Sequence, residues 1–332
     1  MSEDYETLHE TVRQPGAVWC YSQSAQGVPK LDHREPPADL PFRWLHLNLA
    51  DQRSLRWLDT QADLPAALLA VMHGREGAPR FDVVGDAMAF TIHDFERDFG
   101  VNISNRVGAL HVLMRPGLLI TGRTRPLRGA DLVRARLEQS EGLDSAVDAL
   151  SLLLDTYVEG MAGLVADLGT QLLEAETELM EHDHMPDSRE LMSARRLSAQ
   201  LHRMTVGLRA TMQRMERETR LPEAVCGIAR NLLPRIVDMD TDIVAAQLHL
   251  RQLRDELDLQ AAQRTNENVY LLSVLTALMM PATLVTGFFG MNTGGLPFAQ
   301  GPTGTFMATL VALLAGALTW WLLRIMGLVR RK

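Results

Sequence analysis

The chain has 332 residues with 33 basic and 41 acidic side chains, but the charge is uneven: Val269–Lys332 holds no Asp or Glu and four basic residues, leaving 29 basic against 41 acidic, a formal −12, upstream. This length suggests two or three domains, and the acidity of the upstream part excludes the basic footprint that nucleic acid demands. Two cysteines, Cys20 and Cys226, stand in no CxxC pattern, which excludes a disulfide framework and a thiolate zinc site and fits a reducing compartment.

The N-terminal "MSEDYETLHE" is acidic and has no apolar core, so it does not read as a signal peptide, and the upstream part is expected to stay in the cytoplasm. Residues 1–140 read as a small mixed α/β domain. Short β-prone runs occur at 17–22, 43–48, 81–84, 87–93, 109–114 and 118–122, with helical segments near 52–73 and 127–138. There is no G-x-G-x-x-G after a strand, no P-loop, no G-x-S-x-G and no H-E-x-x-H, so nothing points to an enzyme. His46, His93 and His111 fall on predicted strands, where a core histidine is the ordinary case.

Residues 141–268 are expected to be helical. Leu150, Leu153, Leu154, Tyr157, Met161, Leu164, Leu168, Leu172 and Leu179 recur at steps of three and four. "HDHMPDS" at 182–188 breaks the pattern, a second helix runs to about Thr219, and a third starts at Pro222, which suits a first helical position. That third pattern continues through Pro234 and Pro281 to Phe289. At 1.5 Å per residue, 68 residues make a helix of about 100 Å, anomalous in a globular domain but natural for a stalk that enters a membrane. Glu181, His182, Asp183 and His184 form a local "EHDH" that looks like a zinc site. Neighbouring residues on a helix do not face one another, so ordinary helix-end chemistry is the other reading.

Residues 269–332 read as a two-helix membrane domain. Val269–Phe289 is 21 residues without a charge, roughly 32 Å, and Phe306–Leu323 is 18 residues, roughly 27 Å, extended if Arg324 snorkels to the interface beside Trp320 and Trp321. The connecting loop, 290–305, has no basic residue, whereas Arg251, Arg254 and Arg264 precede the pair and Arg324, Arg330, Arg331 and Lys332 follow it. Both ends are therefore expected in the cytoplasm and the loop outside.

"GMN", Gly290–Met291–Asn292, stands directly after the first of these helices. With "PATLVTGFFGMN" at 281–292 and Asn266 fifteen residues before Pro281, the chain resembles the CorA family of divalent-cation transporters over its whole length. The outer loop "TGGLPFAQGPTG" has no acid, unlike magnesium-transporting members, and the "GMNxGGxP" form is similar to the ZntB branch, associated with zinc. The resemblance implies an α+β membrane protein of the inner (cytoplasmic) membrane, assembled as a homopentamer with a cytoplasmic funnel and a central pore lined by the first membrane helix. It implies Zn²⁺ as the transported ion, with no cofactor otherwise required. Proton-coupled uptake and efflux are both open. A CorA-type Mg²⁺/Co²⁺ channel and a non-conducting membrane-anchored scaffold are the alternatives.

Two helices cannot enclose an ion path alone, so self-association is expected on physical grounds too. Asn266, Ser273, Thr276, Met280, Thr283 and Gly287 share one helical stripe, the candidate pore lining; small-residue packing in lipid is the other reading. The stripe has no carboxylate, thiol or imidazole. A bare zinc ion prefers nitrogen or sulfur, so oxygen rings suit an ion that keeps its water. Asn292 supplies amide oxygens at the pore mouth, and Gly290 permits positive φ and close approach of backbones. Met280 is either an apolar constriction or packing filler. Toward the N-terminus the stripe reaches His249, Asp242 and Asp238 through Asp255 and Glu256, which would concentrate cations in a funnel or form a solvated face. Asp255 falls where the family places a regulatory metal-binding Asp. The expected partners are further copies of the chain, membrane lipid, hydrated divalent cations and protons.

Overall fold

The computed structural model describes residues 16–23, 29–32, 40–61, 63–74, 80–97, 106–139, 142–181, 188–291 and 304–326. Its contacts divide the chain into two units, Met1–Gln252 and Leu253–Lys332.

The first unit is built on one seven-stranded sheet. Its strands are β1 (Ala17–Gln23), β2 (Pro29–Asp32), β3 (Arg43–Asn48), β4 (Phe81–Val84), β5 (Ala87–Phe95), β6 (Val107–Arg115) and β7 (Leu118–Arg123). Their order is β2-β1-β3-β7-β6-β5-β4. Only β3 and β7 pair in parallel; the other ladders are antiparallel hairpins or neighbours. The unit is therefore α+β, and its sheet is not wound from βαβ repeats. The expected strands are present, and β2 is an addition. The segment expected near 52–73 divides into α1 (Gln52–Thr60) and α2 (Ala66–Met72), because Pro65 can start a helix but cannot continue one.

Alternation sorts the sheet into two buried faces. Leu45, Leu47, Leu113, Leu118 and Ile120 pack against Leu58 of α1 and Leu68, Val71 and Met72 of α2. The opposite face carries Trp19, Trp44, His46 and Thr121, with α3 (Arg128–Gln139) and α4 (Ala146–Glu181) on that side. Here polar groups are buried, and they are matched. Thr121 Oγ1 accepts from Trp44 Nε1 at 3.0 Å and lies 2.8 Å from His46 Nδ1, while Arg123 Nε donates to His46 Nε2 at 3.0 Å. Nε2 is thus an acceptor and the His46 proton sits on Nδ1. Burial, with the nearby Arg123 charge, holds the His46 pKa down at about 3, so the ring is neutral. Thr121→Val is expected to strand two buried donors at about 1–3 kcal/mol each. Thermal unfolding followed by tryptophan fluorescence should show the lowered Tm, whereas an unchanged Tm would mean the network contributes nothing.

Three long helices follow the sheet: α4, α5 (Ser188–Arg217) and α6 (Glu223–Gly290). Pro222 stands just before α6, and its carbonyl accepts from Val225 and Cys226 N–H. Within the first unit α6 buries Ile236, Met239, Ile243, Ala246 and Leu250. Polar pairs fix its rotation: Asp240 meets His202 and Arg209 of α5 at 3.0 Å each, and Asp155 of α4 meets Arg235 at 3.0 Å. α6 continues into the second unit, which also holds α7 (Gly304–Ile325).

Among the described residues, three helices are long and apolar enough to cross a membrane: α4, α6 and α7. In α4 the apolar window is 56% buried inside the unit, whereas in α6 and α7 it is 0% buried. The apolar surface of α4 is thus consumed by its own core, and that of α6 and α7 is left for another apolar medium. Arg324 lies 5.3 Å from the Trp320 ring at the end of α7, a pairing suited to an interfacial belt.

Candidate functional site

Along the second unit's part of α6, burial marks out one stripe. Val274, Ala277, Leu278, Pro281, Ala282, Val285 and Phe289 are half-buried. On α7, Ala308, Ala312, Ala315, Gly316, Thr319 and Leu323 are half-buried at steps of three and four. Small residues at this spacing are the signature of a close helix–helix seam. The candidate stripe lies off that seam: Asn266, Ser273, Thr276, Met280, Thr283 and Gly287 are all exposed. Thr276, Met280, Thr283, Gly287 and Met291 line a concavity of about 850 Å³ on the same helix.

The hydroxyls in this stripe are not free rotors. Ser273 Oγ donates to the Val269 carbonyl at 2.7 Å, Thr276 Oγ1 to Leu272 at 2.7 Å, and Thr283 Oγ1 to Met279 at 2.9 Å. Each hydroxyl proton is therefore spent on the helix, as is common for Ser and Thr in apolar surroundings. What remains outward is an acceptor lone pair. A hydrated cation presents the hydrogens of its first-shell water, which are donors. The hydroxyls of the stripe are thus chemically matched to a wet cation, while the exposed Asn266 amide offers both an acceptor oxygen and N–H donors.

Gly290 departs from expectation. It closes α6 as a helical residue, and positive φ among the described residues occurs at Gly16, Gly85, Gly117 and Gly142 instead. A Cβ at Gly290 would meet nothing within 4 Å in the single chain, so the glycine answers neither a turn nor a contact within it. Met291 is 50% exposed just beyond the helix, and Asn292 lies outside the described residues.

The funnel candidates divide between the units. Asp238, Asp242 and His249 line a concavity of about 580 Å³ between α4 and α6, floored by Ala162, Ala166 and Gly169. His249 Nε2 is 3.1 Å from Glu176 Oε2 of α4. Asp255 and Glu256 are exposed in the second unit. Of "EHDH", Glu181 is the last residue of α4, and His182, Asp183 and His184 lie outside the described residues. No group of three or more His, Cys, Asp or Glu able to hold a metal occurs among the described residues. Cys20, Cys226, His46 and His111 are buried and His93 is half-buried. Burial also pushes the Cys226 thiol up, so it is a packing residue and not a reactive one.

Residues 40–325 match the family described as CorA-like Mg²⁺ transporter protein. The chain is similar to the zinc transport protein ZntB of Pectobacterium carotovorum subsp. carotovorum, with 25% identity over 318 residues that cover 93% of this chain and 95% of that one. Among solved structures it is similar to the full-length CmaX protein, with a TM-score of 0.76 at 23% identity, covering 96% of this chain and 100% of that one. It is also similar to the CorA magnesium transporter of Methanocaldococcus jannaschii, with a TM-score of 0.74 at 14% identity, covering 94% and 98%.

Proposed function

The chain belongs to the CorA family of divalent-cation transporters, not to a family of enzymes, and on that premise we propose that it moves hydrated Zn²⁺ across the inner membrane through a homopentameric pore. The observation that carries this reading is the exposed α6 stripe, whose hydroxyls keep their protons on the helix and turn lone pairs outward. A single chain leaves that stripe uncovered, and two membrane helices cannot surround an ion. Five copies, with α6 innermost, turn the stripe into successive rings of oxygen.

Such rings hold the ion by its water. Stripping the shell from a divalent cation would demand charged or soft ligands, and the stripe has none. Ser273, Thr276 and Thr283 would accept from first-shell water, Met280 would narrow the path with apolar surface, and Asn292 would receive the hydrated ion at the mouth. The choice of zinc over magnesium rests elsewhere. The outer loop carries no carboxylate between Gly290 and Thr305, and a relative matched over 93% of the chain is named for zinc transport. Asp238, Asp242, Asp255 and Glu256 would raise the local cation concentration on the cytoplasmic side. With both termini cytoplasmic, uptake runs from the GMN loop toward these acids.

Uptake coupled to protons is the direction we favour. Liposomes that contain the purified protein and a zinc-sensitive dye should fill faster when the outside is acidified at fixed zinc. A rate indifferent to the proton gradient would remove the coupling. The Mg²⁺/Co²⁺ channel is the second reading, favoured by the all-oxygen chemistry of the stripe, which suits a hard hydrated cation equally well. A scaffold that conducts nothing has no use for a polar stripe or a charge-free loop.

A further inference from the structure

Away from the membrane part, one carboxylate is buried where no transport step needs it. Asp94 lies near the end of β5, at 5% exposure. Its Oδ2 accepts from the Gly129 N–H, in the first turn of α3, at 2.6 Å, and its Oδ1 accepts from the Phe95 N–H at 2.8 Å. Gly129 is a glycine for this contact: a Cβ there would stand 2.8 Å from Asp94 Oδ2 and 3.2 Å from Tyr157 Cδ2 of α4. One side chain therefore joins the sheet to the N-terminus of α3, with Tyr157 of α4 beside the same glycine.

We propose that Asp94 and the first turn of α3 form a proton-sensitive latch, closed when Asp94 is a neutral acid and loosened when it is a carboxylate. The physical reason is an imbalance around the group. Among the described residues Asp94 makes no ion pair, so its ionised form is a buried charge held only by two N–H groups and the positive end of a helix. The cations near it are engaged or distant. Arg97 pairs with Asp131 at 2.8 Å and Arg125 with Glu96 at 2.9 Å. Arg128 attracts the carboxylate without a contact, Asp131 repels it, and Arg123 is itself partly desolvated and donates to His46. Tyr157, buried beside it, is held well above its usual range and stays neutral.

Burial, against the pull of the two N–H groups, pushes the Asp94 carboxyl up to about 7. The sign follows from proton counting. An opened latch exposes Asp94 to water, where its pKa is near 3.9, so between about pH 4 and pH 7 the closed form binds more protons than the open one. Closure is therefore favoured at low pH and is lost progressively as pH rises through 7. His46, another strongly shifted buried group, is neutral throughout pH 6–8, as is Tyr157, and neither adds to a local opening in this window. The latch does not depend on which ion the protein carries.

Hydrogen exchange of the full chain in lipid nanodiscs tests this, with rates corrected for intrinsic exchange. Amides of Gly129, Ala130 and Asp131 should open roughly ten-fold more often at pH 8 than at pH 6, levelling off above, with a midpoint near 7. Asp94→Asn should remove the pH dependence. Should that variant fail to fold, Arg128→Ala provides the second arm: losing the attracting cation should move the midpoint upward. Protection that is flat from pH 6 to 8 in the unmodified chain, an unchanged slope in Asp94→Asn, or an unmoved midpoint in Arg128→Ala would each overturn the latch.

Discussion

Replacing Asn292 by alanine is expected to cut divalent-cation entry by at least about 100-fold in an oligomer that still assembles. In a five-fold pore the substitution removes five amides from one ring. Each loses a hydrogen bond to first-shell water worth about 0.5–1.5 kcal/mol net, and five such losses raise the entry barrier by a few kcal/mol. At 1.36 kcal/mol per ten-fold, that is two orders of magnitude or more. Crosslinking in the membrane should still give the full oligomer if the Asn292 amides serve the ion and not the assembly. Gly290→Ala separates mouth from helix. A Cβ at that helical position meets nothing in the single chain, so the fold should persist. A loss of flux there would locate crowding between copies, and unchanged flux would leave Asn292 as the working part of the motif.

The second large effect is expected at Thr283→Lys. If the α6 stripe lines the path, the substitution places a ring of ammonium groups inside it. A divalent ion about 6 Å from one such charge is repelled by roughly 5 kcal/mol at an effective dielectric near 20, so flux should fall below detection. Thr283→Ser, which keeps the hydroxyl and its bond to the Met279 carbonyl, should conduct. The opposite geometry predicts a different failure. On a lipid-facing stripe, lysine costs about 2.5–3.5 kcal/mol of insertion per helix and would lower the amount of protein in the membrane. Normal assembly with normal flux, or poor insertion with normal flux per molecule, would place the ion path on another face.

Much of the fold is legible in the sequence because its signals are long. Steps of three and four between Leu150 and Phe289, interrupted at 182–188 and before Pro222, leave little besides helix, and uncharged runs of 18 and 21 residues leave little besides a membrane. The central strands are legible for a different reason: both faces of the sheet are buried, so they read as short β-prone apolar runs. β2 escapes notice because "PKLD" is short, polar and led by proline, which suits an edge strand and resembles a loop. The break between α1 and α2 is carried by one proline within an otherwise helical composition.

Sites are less legible, since they depend on which faces meet. Spacing alone groups Asn266 with Thr283, and exposure does not single that stripe out, since Leu272, Met279 and Leu284 on other faces of the helix are exposed as well. Spacing also joins Asp238, Asp242 and His249 to it, but α4 packs beside that face and draws His249 to Glu176. Asp94 is the clearest case. In sequence it is a charge inside a strand, and nothing marks Gly129, thirty-five residues on, as its partner. The only hint is a glycine at the start of a helix, which becomes informative once the carboxylate is seen against it.

The most direct test of the account is the initial rate of Zn²⁺ and of Mg²⁺ entry into the same preparation of protein-containing liposomes, read with two ion-specific dyes. Zn²⁺ should enter with a saturable rate that exceeds that of Mg²⁺ and that disappears with Asn292→Ala. Entry of neither ion would contradict transport, and entry of Mg²⁺ without Zn²⁺ would contradict the zinc assignment while leaving the oxygen-lined path in place.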